Sequence, residues 1–198
     1  MGIRNPWYYN GNVVRDIKRW VENKESGGIW VDVDGVIIHS CQAICDMINE
    51  KQGTNFTGDE VLSWNFKEIC PNLSSEDVED IFADPTFFQH VQWIDGALDF
   101  LKRYEDKITL VTKGTQENIH NKEIFFFDQY KLKVSFIGLT LDQSKGIIDM
   151  SDGLFIDDCT YNLNESNAKY KIMFKEYDDD KEREWQKDWN GLVMYKWL

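Results

Sequence analysis

The sequence predicts an α/β protein in which a parallel sheet lies between two layers of helices and is interrupted once by a small helical insertion. Three observations lead there. Short apolar runs that stop on acids recur at Ile29-Trp30-Val31-Asp32-Val33 and at Leu154-Phe155-Ile156-Asp157-Asp158. Helical patterns alternate with such runs along most of the chain. The alternation breaks between residues 39 and 91, directly after the first run. Strands alternating with helices imply right-handed crossovers, the three-layer arrangement called Rossmann-like.

Element by element, Val13, Val14, Ile17, Trp20 and Val21 recur near helical spacing, so residues 12–23 read as an amphipathic helix that Gly27-Gly28 separates from the first strand. Ile29 to Val33 is almost wholly apolar, as a strand buried on both faces should be. Residues 39–91 carry helical patterns around 40–51, 58–69 and 74–82, with Phe56, Trp64, Phe66, Phe82, Phe87 and Phe88 among them. They are expected to form a small unit of their own, while 1–38 and 92–198 form the core. In the core, helices are expected at 96–104, 116–129 and 144–150, and strands at Ile108–Thr112, Val134–Leu139, Leu154–Ile156 and, more weakly, Lys171–Phe174. Asp178-Asp179-Asp180 reads as a solvated loop and the start of a helix.

Composition narrows the function. The chain has 198 residues and a formal net charge of −13, which repels a nucleic-acid backbone at long range and argues against long nucleic acids as partners. A small phosphorylated substrate held by a local positive patch remains compatible. The four cysteines form no C-x-x-C pair. Cys41 and Cys45 share a helix face near His39, but structural zinc needs four ligands, so buried reduced thiols are the better reading. With no secretory signal and no apolar run of the roughly 20 residues a span requires, a cytoplasmic protein without membrane contact is expected. Three Asn-x-Ser/Thr matches are then chance. No P-loop, G-x-G-x-x-G or H-E-x-x-H motif occurs.

The chemistry concentrates at strand ends. In Asp32-Val33-Asp34-Gly35, two carboxylates stand two residues apart just past a strand, with a glycine to let the chain turn sharply. A calcium loop counted from Asp32 would need glycine and glutamate where Ile37 and Ala43 stand, so calcium is rejected. Asp157-Asp158 ends another strand in the same way. All carboxyl ends of a parallel sheet open on one edge, where ligands bind, so these four acids should converge. Clustered carboxylates are costly without a cation, and hard oxygen ligands around an open site suit Mg²⁺. Thr112 ends the second strand on the same edge, where its hydroxyl and the amides of Lys113 and Gly114 can hold phosphate oxygens. Lys145 precedes the fourth strand, where a lysine pointing into the acids would neutralise them and bind phosphate, whereas a lysine is more often simply solvated.

The order Asp32-x-Asp34, Thr112, Lys145, Asp157-Asp158 resembles the four motifs of the haloacid dehalogenase (HAD) superfamily of phosphatases. Within it the chain resembles the 5'(3')-deoxyribonucleotidase family over residues 29 to 194. The similar segments are Phe87-Phe88 with Trp93-Ile94-Asp95-Gly96-Ala97, Leu139-Thr140, and Glu184-Trp185-Gln186-Lys187-Asp188-Trp189 as a tryptophan-bearing C-terminal helix. The resemblance implies an HAD-like core with residues 39–91 as a helical cap. It implies Asp32 as nucleophile, Asp34 as general acid and then base, and Mg²⁺ held by Asp32, the Asp34 carbonyl and Asp157, with Asp158 acting through the metal's waters. Thr112 and Lys145 would hold the phosphoryl group. The implied substrate is a nucleoside monophosphate. Another small phosphomonoester, a nucleic-acid 3' end, or a silent binding module on the same scaffold are the alternatives.

Two positions depart from the family's usual pattern. Lys113 stands where a small residue is common, and either adds charge near the phosphate or points away. Cys159 stands where a basic residue is common. In the cap, Trp64 and Phe66 could stack on a nucleobase or could form the cap's own core.

Overall fold

The computed structural model describes residues 11–23 and 27–197. The first helix, α1 (Gly11–Glu22), precedes β1 (Ile29–Val31). Its Ile17 and Val21 are buried in the main core, while the side chains of Val13 and Val14 lie outside those described. Then follow α2 (Ser40–Gln52), α3 (Ser75–Ala83), the short α4 (Phe87–His90) and α5 (Ala97–Arg103). The remaining core alternates β2 (Ile108–Lys113), α6 (Gln116–Glu123), β3 (Ser135–Leu139), β4 (Leu154–Asp157), α7 (Thr160–Glu165), β5 (Tyr170–Phe174) and β6 (Leu192–Met194).

The six strands form one sheet in the order β3-β2-β1-β4-β5-β6, and every pair is parallel. This is the α/β parallel-sheet fold expected. β1 lies at the centre, with Val31 beside Leu110 of β2 and Ile156 of β4. Being covered on both faces, β4 is buried at all four positions, as its uninterrupted apolar sequence demands. Two apolar clusters flank the sheet. One gathers Ile29, Val31, Leu110, Ile156 and Phe126, and the other Val111, Leu139, Phe155 and Met173.

Several elements are shorter than the sequence suggests. The stretch expected as a helix over 144–150 is a single 3₁₀ turn, Lys145–Ile147, capped by Ser144, whose hydroxyl accepts from the Gly146 amide at 2.9 Å. Gly146 and the β-branched pair Ile147-Ile148 give it little helical support. The expected helix over 58–69 is a 3₁₀ turn, Gly58–Glu60, followed by turns that include Phe66 at φ 55°. The tryptophan-bearing C-terminal helix is likewise one turn, Glu184–Gln186. α6 runs on as a π-turn over Ile124–Gln129, and the edge strand β6 has no counterpart in the sequence reading.

Between β1 and α5 the chain forms a separate apolar cluster of Cys41, Ile44, Ile48, Val61, Phe66, Val78 and Phe87, joined by Trp185 from far along the chain. Phe66 is 0% exposed there. It is therefore core and not a substrate contact, correcting the stacking role considered for it, because its ring is enclosed by that cluster. Cys41 and Cys45 are free buried thiols; burial pushes the Cys41 thiol well up and the Cys45 thiol up to about 12. Among the described residues, no helix is long and apolar enough to cross a membrane.

Phe66→Ala is expected to cost about 3–5 kcal/mol, the usual range for emptying an aromatic core position. Urea unfolding measures this, and a loss below about 1 kcal/mol would show that the ring is not core.

Candidate active site

Parallel pairing of β1 with β4 fixes the site. The Asp32 amide donates to the Ile156 carbonyl at 2.9 Å, so Asp32 leaves the sheet beside Asp157, the last residue of β4. Beyond Asp32 the chain turns at Gly35, whose φ is +67°. A Cβ there would sit 2.9 Å from Asp158 Oδ2, so both the backbone conformation and the proximity of the carboxylate require glycine. Oxygens of Asp32, Asp157 and Asp158 lie within 4.8 Å of one another, and all three residues are buried.

One cation faces this group. Lys145 Nζ lies 2.6 Å from Asp32 Oδ1 and 2.7 Å from Asp157 Oδ2, and is 2% exposed. Burial alone would favour its neutral form, but Asp157 and Asp32 outweigh that and hold it charged. The cis-acting balance still leaves negative charge in excess. Burial pushes the Asp32 carboxyl up to about 7, with Asp157 and Asp34 adding to the rise and Lys145 opposing it. Burial, with Asp32 and Asp157 close by, raises Asp158 well above the usual carboxylate range. Three converging carboxylates against one lysine fit a hard divalent cation, which would relieve that excess. Asp157 is further fixed by the Cys159 amide (2.8 Å) and Asn162 Nδ2 (3.1 and 3.2 Å).

A second buried lysine lies across the site. Lys122 of α6 is 0% exposed and donates to Asp34 Oδ2 at 2.5 Å and to Thr112 Oγ1 at 2.6 Å. Sequence reasoning missed it because it sits in the polar stretch Gln116–Glu123. The sequence carries no signal for it; only the structure shows that Asn118 and Lys122, four apart and so on one helix face, are both buried. Asp34 Oδ2 is thus occupied, whereas its buried Oδ1 has no hydrogen-bond partner among the described residues.

The other expected residues divide. Thr112 is fully buried and its hydroxyl is bound by Lys122, 3.5 Å from Asp34 Oδ2. The Gly114 amide donates to the Leu139 carbonyl at 3.0 Å, so it is committed to the sheet edge and not free for phosphate. Lys113 lines the cavity over the acids, which measures about 410 Å³ and is also bordered by Asp32, Asp34, Asp158, Lys145, Trp64 and Tyr161. Trp64, 40% exposed, is therefore on the cavity wall, unlike Phe66. Cys159 also lines it, and burial pushes its thiol up to about 11, which makes it a poor nucleophile.

The central strand ends of the parallel sheet thus deliver paired acids to one edge, opposite two buried lysines. Residues 27–193 match the family described as 5' nucleotidase, deoxy (pyrimidine), cytosolic type C protein. The chain belongs to that family and is a phosphatase of the 5'-nucleotidase kind. No curated protein matches the sequence. Among solved structures, it is similar to a haloacid dehalogenase-like hydrolase from Streptococcus pneumoniae, at 10% identity and TM-score 0.51, covering 82% of this chain and 89% of that one. A candidate phosphatase from Clostridium difficile is similar at 15% identity and TM-score 0.51, covering 77% and 86%. At these identities the likeness is one of fold.

Lys122→Met should leave the half-buried Asp34 without its cation and cost about 1–3 kcal/mol, less than breaking one side of a fully buried ion pair. Chemical denaturation reads the loss; an unchanged midpoint would show that the contact contributes nothing.

Proposed function

We propose that this enzyme hydrolyses nucleoside monophosphates by transferring the phosphoryl group to Asp32. Residues 39–91 act as a cap over a core made of 1–38 and 92–198. The observation that carries the reading is the convergence of Asp32, Asp157 and Asp158 within 4.8 Å, with Lys145 bound to Asp32 and Asp157, under a cavity that Asp32, Asp158 and Lys145 line. Mg²⁺ would be held by Asp32, the Asp34 carbonyl and Asp157, with Asp158 assisting through the metal's waters, and would supply charge neutralisation for the incoming phosphate.

Within that site an Asp32 carboxylate oxygen attacks phosphorus in line while the bond from phosphorus to the leaving oxygen breaks. Asp34 gives its proton to the departing oxygen, leaving an alcohol. Its Oδ2 is held by Lys122, so Oδ1, which has no partner among the described residues, is the oxygen left for that transfer. Asp34 then takes a proton from water as the water oxygen attacks phosphorus, which frees Asp32 and inorganic phosphate. Lys145 keeps the Asp32 carboxylate oriented, and Lys113 adds positive charge at the wall. In this reading Lys145 holds a phosphoryl oxygen from the cavity lining, and the Thr112 hydroxyl does so on giving up its bond to Lys122. Trp64 supplies a flat apolar surface for a base, a contact that contributes about 1–3 kcal/mol where it forms. The family's cytosolic description supports a cytoplasmic setting.

Asp32→Asn should abolish turnover of an aryl phosphate while circular dichroism stays that of the parent. Normal activity in the folded variant would remove Asp32 as nucleophile. EDTA should abolish hydrolysis and added Mg²⁺ should restore it, whereas EDTA-resistant turnover would exclude the metal. In a panel of 5' and 3' nucleoside monophosphates against sugar phosphates, nucleotides should give the highest kcat/KM; a clear preference for sugar phosphates would overturn the substrate assignment.

A further inference from the structure

We propose that the stretch Glu176–Gln186, between β5 and β6, straps residues 39–91 to the core as a fixed roof, so that a rigid mouth and not a swinging lid sets the size of the substrate. This rests on the phosphatase reading of the cavity beneath, but not on which phosphomonoester is hydrolysed.

The inserted segment leaves the core after Ile38 and returns at Trp93. There the His39 amide donates to Gln92 O at 2.9 Å and the Ile94 amide to Ile37 O at 2.9 Å. A segment attached only at that paired root could hinge about it. This one is held at two further places. Along the strap, Lys181 Nζ donates to Asp59 O and Oδ2, both at 2.8 Å, Arg183 donates to Asp59 O at 3.2 Å, and the Glu184 amide donates to Leu62 O at 2.8 Å. On the other attachment, Asn118 and Asn121 of α6 donate to Phe82 O and Ala83 O at the end of α3, at 2.8 and 3.1 Å.

The exposed Lys181–Asp59 pair holds little by itself. Burial makes the rest firm. Arg183 is buried, held by both oxygens of Asp179 at 3.0 and 2.9 Å, and lies 4.6 Å from the Tyr177 ring centroid. Tyr177 itself packs so close to Gly58 that a Cβ there would meet its hydroxyl at 2.3 Å. Above all, Trp185 is buried within the apolar cluster of the inserted segment, its ring 4.7 Å from that of Trp64 on the cavity wall. A lid swing would have to draw this indole out of a closed core and expose it to water. The mouth is then a fixed rim with exposed Trp64, Leu141 and Tyr161 over about 410 Å³, roomy enough for a small phosphomonoester but not for a phosphate within a duplex.

The test locks the roof. The backbone bond from Glu184 to Leu62 brings these residues close enough to pair as cysteines, so Leu62→Cys/Glu184→Cys should form a disulfide on oxidation, verified by mass. Aryl phosphate hydrolysis by the oxidised form should keep kcat and KM within about threefold of the reduced form. A loss of about tenfold or more that dithiothreitol reverses, absent from the single-cysteine variants treated alike, would overturn the proposal. If the double variant does not fold, or its reduced form hydrolyses nothing, hydrogen exchange of the unsubstituted protein decides. Exchange of the Glu184 amide should change by less than about threefold when Mg²⁺ and inorganic phosphate are added, and slowing by about tenfold or more would reveal an open free state and overturn it. Absence of hydrolysis by the unsubstituted enzyme would sink the phosphatase reading instead, leaving the exchange result to stand.

Discussion

Adjacent parallel strands that both end on aspartate are the constraint from which the rest of the site follows. Because Val31 pairs with Ile156, Asp32 and Asp157 emerge side by side whatever else the chain does. Asp158 then joins them, and three carboxylates are forced into a space of 4.8 Å. Such a group is unstable unless something neutralises it. The chain answers with Lys145, which a single 3₁₀ turn directs between Asp32 and Asp157, and with a glycine at position 35 that lets the backbone pass within reach of Asp158.

That constraint explains what was legible in the sequence. Strands buried on both faces announce themselves as apolar runs, and two of them end where the run meets acids, so β1, β4 and the convergence of their ends could be read directly. Lengths of polar or mixed helices could not. The stretch 58–69 has enough apolar residues to look helical, yet Phe66 adopts a left-handed conformation there and its ring is claimed by a core formed with α2, α3 and Trp185. Helical spacing cannot reveal that a residue far along the chain completes the packing. β6, three residues long, exists because β5 offers it a free edge, again a tertiary cause.

Lys122 shows the same limit at the site itself. A lysine amid Gln, Glu and Asn has every local reason to be solvated, and nothing in its neighbours predicts complete burial. Its burial is imposed from outside the helix: Asn118 and Asn121 pin α6 beneath the end of α3, which turns the face carrying Lys122 toward Asp34 and Thr112. The contacts between α6 and the end of α3 that border the cavity are thus tied to those that position a charge within it.

The two lysines divide the acids into separate environments. Lys145 serves Asp32 and Asp157, where negative charge is in surplus and burial pushes Asp32 up to about 7. Lys122 serves Asp34, which is more open and shares its cation with a hydroxyl, not with other carboxylates. Placing titratable groups of one kind in unlike surroundings is how a protein assigns them unlike roles. Here the pair Asp32 and Asp34 stands only two residues apart in sequence, so local sequence cannot distinguish them. The distinction comes from α6 and from the 3₁₀ turn at Lys145, the first supplying its buried ammonium group to Asp34 and the second to Asp32 and Asp157. A surface with net charge −13 can still receive an anion at such a site, because within the cavity the nearby positive charges act at short range in a weakly screening interior.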